Sequence, residues 1–136
     1  MNDPVRFRRL TLLYSILLIS IVVAANDGRL PMRRILAVLP WADKLGHFFL
    51  IGALALLANL MLQARLWRLG PFSGLVGSLW VTVAVILEEV SQLFMARRAF
   101  EFADLGADLA GILCFGALAR WWVARSTQRE NPEPAH

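Results

Sequence analysis

The chain has a single cysteine, Cys114, and a single lysine, Lys44, among its 136 residues. One thiol excludes an internal disulfide framework and a cysteine-rich metal site. Its place in an apolar run makes Cys114 a filler of that run. There is no internal repeat and no low-complexity tract. Also missing are the alternating segments of roughly 10 residues that the strands of a membrane barrel require. The formal net charge is +4, but the arginines are scattered over ends and loops and form no stripe or motif. Nucleic acid is therefore not an expected partner. The length leaves room for one domain.

What the chain does have is apolar sequence, with 58% hydrophobic residues and a mean hydropathy of +0.58. This exceeds what a soluble core of the same length needs. A membrane span takes about 20 predominantly apolar residues, and four stretches meet or approach that length: residues 10–25, 45–62, 72–95 and 105–123. Only helices or closed barrels satisfy the backbone in lipid. The expected fold is thus an all-α membrane protein, a bundle of four transmembrane helices. Trp41, Trp67, Trp121 and Trp122 fall near expected helix ends, at the depth indole rings favour. Trp80, inside the third stretch, is the exception. Pro40 and Pro71 stand just ahead of the second and third stretches, where a missing N–H costs little.

The first stretch also carries marks of a secretory signal, with Arg6, Arg8 and Arg9 before the apolar run and Val23-Ala24-Ala25 after it. The run is long for that role and three further spans follow, which favours a retained helix. Either way the N-terminus is cytoplasmic. Eight basic residues then lie inside and six outside, a weak positive-inside bias. The C-terminus is also placed in the cytoplasm, and the polar tail of residues 126–136, with Pro132 and Pro134, is expected to be disordered. The apolar segment Ile35–Leu39 of the first loop suits the membrane surface. In the fourth stretch Ala103, Ala107 and Gly111 are spaced by four, with Gly106 and Ala110 on the adjacent face, so another helix can approach closely.

Charge inside these stretches requires a reason. The segment from Glu88 to Gly111, EEVSQLFMARRAFEFADLGADLAG, places acids, a glutamine and two arginines between two apolar runs. Helical spacing puts Asp43 with His47, Glu88 and Glu89 each with Gln92, and Asp104 with Asp108, on one stripe per helix, with Lys44 beside the first. At a rise of about 1.5 Å per residue all of them fall in one layer, near the extracytoplasmic surface. An ionisable group facing lipid at the centre of the bilayer costs roughly 2.5–3.5 kcal/mol. Glu88, Glu89 and Asp108 are therefore expected to face inward, paired with Lys44, His47, Arg97 or Arg98, or protonated.

Three uses of the layer remain open. Lys44, Arg97 and Arg98 at headgroup level suit an anionic lipid or lipid-linked cell-envelope precursor, with Asp43, Gln92 and Asp104 completing the ligand-binding set. His47, Glu89 and Asp108 are candidate catalytic residues, His47 as general acid or base on a lipid phosphate. A divalent metal on those three is only a variant of that idea, since one histidine with scattered carboxylates is weak evidence, so neither a metal nor a cofactor is expected. The third use is purely structural, an interhelical polar network. Four helices without an inverted repeat are few for a transporter. Membrane lipids are the expected partners, and nothing indicates an oligomeric state.

DKLGHFFLIG at Asp43–Gly52, E-x-x-Q from Glu89 to Gln92, the arginine at Arg98 and D-x-x-x-D-x-x-G from Asp104 to Gly111 together resemble the VanZ-like family. The resemblance covers Asp43 to about Gly116. It implies a small polytopic membrane protein of the bacterial cytoplasmic membrane, associated with teicoplanin resistance and so with glycopeptide antibiotic tolerance, but no agreed chemistry. The family pattern usually has asparagine where this chain has Asp108, an acid in place of a neutral amide.

Overall fold

The computed structural model describes residues 3–26, 41–94 and 101–130, without the side chains of residues 25, 26 and 130. These residues form four helices, α1 Pro4–Asn26, α2 Ala42–Met61, α3 Val76–Gln92 and α4 Phe102–Glu130, and two short strands, β1 Leu66–Leu69 and β2 Phe72–Leu75. The fold is thus predominantly helical. Helix α1 starts where sequence chemistry dictates: Asp3 Oδ1 accepts hydrogen bonds from the backbone N–H groups of Val5 (2.9 Å) and Arg6 (3.4 Å). Pro4 takes the first helical position, where its missing donor is not needed. Three helices, α1, α2 and α4, are long and apolar enough to cross a membrane.

The third expected span differs from its expectation. Residues 72–95 were expected as one helix, but α3 holds only 17 residues, about 26 Å at 1.5 Å per residue. Phe72–Leu75 instead pairs antiparallel with Leu66–Leu69, with Leu69 opposite Phe72. The cause is the Gly70-Pro71 connection. Gly70 takes φ +57°, a conformation glycine adopts without penalty, and Pro71 fixes the next φ for a tight turn. Val76 N–H donates to Arg65 C=O at 2.9 Å and closes the ribbon as α3 begins. Pro71 therefore sits in a hairpin turn and Trp67 on a strand.

Helix α4 also departs from expectation, continuing past Val123 to Glu130. Ser126 and Thr127, expected in a disordered tail, return their hydroxyls to the carbonyls of Trp122 and Val123. The remainder of that tail, the first-loop segment Ile35–Leu39 and the arginines Arg97 and Arg98 lie outside the described residues.

Helices α2 and α4 share the most extensive contact. Its centre is Gly111, where an added Cβ would strike the backbone of Phe48 and of Gly52 in α2. Gly52 in turn faces the Phe115 ring, which packs edge-on against Phe48 and Phe49 at centroid distances of 5.9 and 6.3 Å. The small-residue spacing of α4 thus works at Gly111. Ala103 and Gly106 are exposed instead, and nothing lies within 4 Å of a Cβ at Gly106. Ala55, Ala58, Val81, Val85 and Ile112 form the core among α2, α3 and α4.

A polar lock fixes α3 against α2. No side chain of its own caps the N-terminus of α3, yet Asn59 of α2, fully buried, accepts from Ser78 N–H at 3.1 Å. Its amide nitrogen donates to Ser78 Oγ (2.8 Å) and to Ala55 C=O (2.9 Å). Asn59 and Ser78 are thus joined in a structural contact. Asn59→Leu keeps the volume but strands the Ser78 N–H, and should cost about 2 kcal/mol, read as a lowered midpoint in thermal unfolding of the detergent-solubilised chain. An unchanged midpoint would show that the lock contributes nothing.

Candidate functional site at one end of the bundle

Helices α2 and α4 begin, and α3 ends, at the same end of the bundle. Most of the polar residues singled out from sequence meet there, where they partner one another rather than stand among apolar side chains. His47 Nδ1 and Asp108 Oδ1 are 3.0 Å apart, with the imidazole N–H donating to the carboxylate. Asp104 Oδ2 lies 3.9 Å from Nε2 on the other side of the ring. Asp104 and Asp108 are one helical turn apart on α4, so a single histidine spans both. Asp108 is 1% exposed.

Lys44 is engaged by acids at this end of the bundle. Its ammonium donates to Asp104, to Glu101 at 2.6 Å and to Asp43 at 3.4 Å. Three carboxylates therefore engage the one lysine, and the group is half-buried within them. Nor does it pair with Glu88, Glu89 or Asp108. Its flexible stem and three donors suit such a junction of α2 and α4 better than a planar guanidinium would.

On α3, Gln92 Nε2 donates to both oxygens of Glu88, at 2.9 and 3.0 Å, and more distantly to Glu89 Oε1 at 3.5 Å. Glu89 is 1% exposed. Its Oε2 is buried and has no hydrogen-bond partner. Among the described residues, no lysine or arginine forms a salt bridge with Glu89 or Asp108. The described part of the layer holds six carboxyl groups, from Asp43, Glu88, Glu89, Glu101, Asp104 and Asp108, against Lys44 and His47. Among the described residues acids outnumber bases.

No protein-family model, curated protein or solved structure matches this chain. The functional argument therefore rests on the geometry of its own residues. A cavity of about 520 Å³ opens beside the layer. Leu18, Ile19 and Val22 of α1, Leu50 and Leu54 of α2 and Val85 of α3 supply its apolar walls. Asp43, His47, Glu88 and Asp108 supply its polar end. Tyr14 pins α1 in place as one wall by donating its hydroxyl to Leu50 C=O at 3.0 Å. Such a volume with few convergent polar groups is typical of ligand sites.

Sequence patterns could not find the walls, since any leucine on an apolar helix is a candidate for lipid contact. Glu101 was also missed. It lies just before α4, outside the apolar stretches, and only the three-dimensional meeting with Lys44 distinguishes it. Two triads offer one ligand atom per residue within 4.8 Å of one another: Asp43, His47 and Asp104, and His47, Glu89 and Asp108.

Proposed function

We propose that this chain is a multi-pass protein of the bacterial cytoplasmic membrane, a VanZ-like bundle of four transmembrane helices with both termini in the cytoplasm. Its polar layer, near the extracytoplasmic surface, binds the head of a lipid or a lipid-linked cell-envelope precursor. The observation that carries this reading is the cavity, whose apolar walls fit a hydrocarbon chain and whose polar end fits a head. Support for the membrane setting comes from the outward apolar faces: Leu13, Ile16, Leu17, Leu87 and Leu113 are all well exposed. In water such a surface would drive association; in lipid it is solvated. Helix α3 is short for a span, and the hairpin that precedes it extends its reach with Leu69 and Phe72 outward and Arg65 and Arg68 beside them. Flanking residues of this kind accommodate a short apolar stretch.

The acidic character refines which head fits. With Lys44 held by Asp43, Glu101 and Asp104, recognition of phosphate falls to Arg97 and Arg98, while the carboxylates suit hydroxyl or ammonium donors. A head bearing both kinds of group meets both needs. Retention of such a precursor would alter glycopeptide tolerance. Leu54→Trp, which fills the cavity from a wall, should lower the lipid-linked precursor copurifying with the chain by roughly tenfold, in keeping with about 1.4 kcal/mol. Sensitivity to teicoplanin should change with it. If lipid content and sensitivity both stayed at wild-type levels, the cavity would have no such occupant.

One observation favours a second reading, a membrane enzyme acting on a lipid phosphate. The imidazole of His47 borders the cavity and is oriented by Asp108, the arrangement of a general acid or base held in place by a carboxylate.

A further inference from the structure

Beside His47 and Asp108 lies a buried acid that neither lipid binding nor helix packing uses. Glu89 is buried on α3 with one carboxyl oxygen lacking any hydrogen-bond partner among the described residues. A buried unpaired polar atom of this kind costs about 1–3 kcal/mol. Beyond Gln92 on its own helix, Glu89 meets His47 from α2 and Asp108 from α4, each with a ligand atom within 4.8 Å of the others. One nitrogen and two carboxylate oxygens, delivered by three different helices, converge on one point. Asp43 and Asp104, the other acids within reach of His47, already serve Lys44.

We infer that His47, Glu89 and Asp108 bind a divalent transition-metal ion at the polar end of the cavity. The 3.0 Å between His47 Nδ1 and Asp108 Oδ1 is also the separation of two ligand atoms about 2.1 Å from an octahedral ion and at right angles to one another, and Glu89 offers its atom within 4.8 Å of both. The buried Glu89 carboxylate then gains a cationic partner, and the ion replaces the proton shared by His47 and Asp108. An imidazole with two carboxylates suits Mn²⁺ or Zn²⁺ better than Mg²⁺, which prefers oxygen ligands and retains its water. Three protein ligands leave coordination positions open. Because His47 and Asp108 both line the cavity, those positions border it. The site stands on side-chain geometry alone and does not require that the cavity take a lipid.

The test uses the full chain, stripped with a chelator and placed in nanodiscs of uncharged-surface phosphatidylcholine so that the lipid collects no cations. MnCl₂ is titrated while the electron paramagnetic resonance signal of the free ion is followed. Wild type should bind one Mn²⁺ per chain, competed by Zn²⁺, and pulsed spectra should show coupling to a nitrogen nucleus that disappears in His47→Gln. Loss of an outer-shell partner weakens metal sites by about 10–100-fold, so removal of a direct ligand in Glu89→Gln should weaken binding by at least about 100-fold. Glu89→Gln is close to isosteric and can retain the contact with Gln92. Absence of stoichiometric binding, binding of equal strength in Glu89→Gln, or bound Mn²⁺ without nitrogen coupling in wild type would each overturn the site. The last readout needs no variant to fold.

Discussion

Gly111→Leu is expected to destabilise the chain by about 3 kcal/mol, the upper part of the overpacking range. The added side chain meets the carbonyl of Phe48 and the backbone nitrogen of Gly52. A clash with backbone cannot be relieved by a rotamer change, so α2 and α4 must separate. Their separation would also disturb the site, because Phe48 follows His47 in sequence and Asp108 lies about one turn before Gly111. The matched control is Gly106→Leu on the same helix. Nothing lies within 4 Å of a Cβ there, and its effect should stay within about 0.5 kcal/mol. Thermal unfolding of the two variants in one detergent decides the matter. Equal losses would mean that α2 and α4 do not meet at Gly111.

Lys44→Met should give the second large effect, because it leaves Asp43, Glu101 and Asp104 without their shared cation. Removing one partner of a fully buried ion pair costs roughly 3–5 kcal/mol, while exposed pairs are worth about 0–1 kcal/mol. The Lys44 side chain is 26% exposed and that of Asp104 12%, so a loss of about 2 kcal/mol is expected between those limits. Asp104→Asn should recover part of it, since the uncompensated charge is then removed. A double-mutant cycle measured by unfolding should return a coupling of at least about 1 kcal/mol. Additive losses would show that lysine and aspartate act independently.

The polar layer was legible in the sequence because lipid penalises stray charge so heavily. Asp43 and His47, Glu89 and Gln92, and Asp104 and Asp108 each share a face of one helix, and their depths place them together. The His47–Asp108 contact follows from that arithmetic. The partners of Lys44 did not follow. Glu101 and Asp104 are 57 and 60 residues away, and a lone lysine among apolar residues invites the reading of an anion receptor. Only the packing of α2 on α4 shows that acids surround it.

The hairpin was hidden for another reason. Phe72 to Leu75 continues without a break into the apolar run of α3, so hydrophobicity carried the expected helix back to Phe72. The competing signal is the Gly70-Pro71 pair, a turn former, whereas proline alone is equally at home at a helix start. Asn59 was equally opaque. An isolated amide in an apolar helix carries no mark of its partner, and Ser78 lies beyond the intervening hairpin. At Gly111 the four-residue spacing did point to close approach, although Gly106, which seemed equally suited by composition, faces outward. Spacing restricts which residues share a face; it does not say which face is covered.

The cavity among α1, α2 and α3 is proposed to hold a particular lipid with its head at His47 and Asp108. Photo-crosslinking in native membranes tests this most directly, with a benzophenone side chain placed at Leu54 on the cavity wall and, separately, at Leu113, which is 74% exposed on the outer face of α4. The adducts are then identified by mass spectrometry. Capture of one lipid class from position 54, strongly enriched over the bulk-like mixture captured from position 113, is the predicted result. The same lipid mixture at both positions would contradict it.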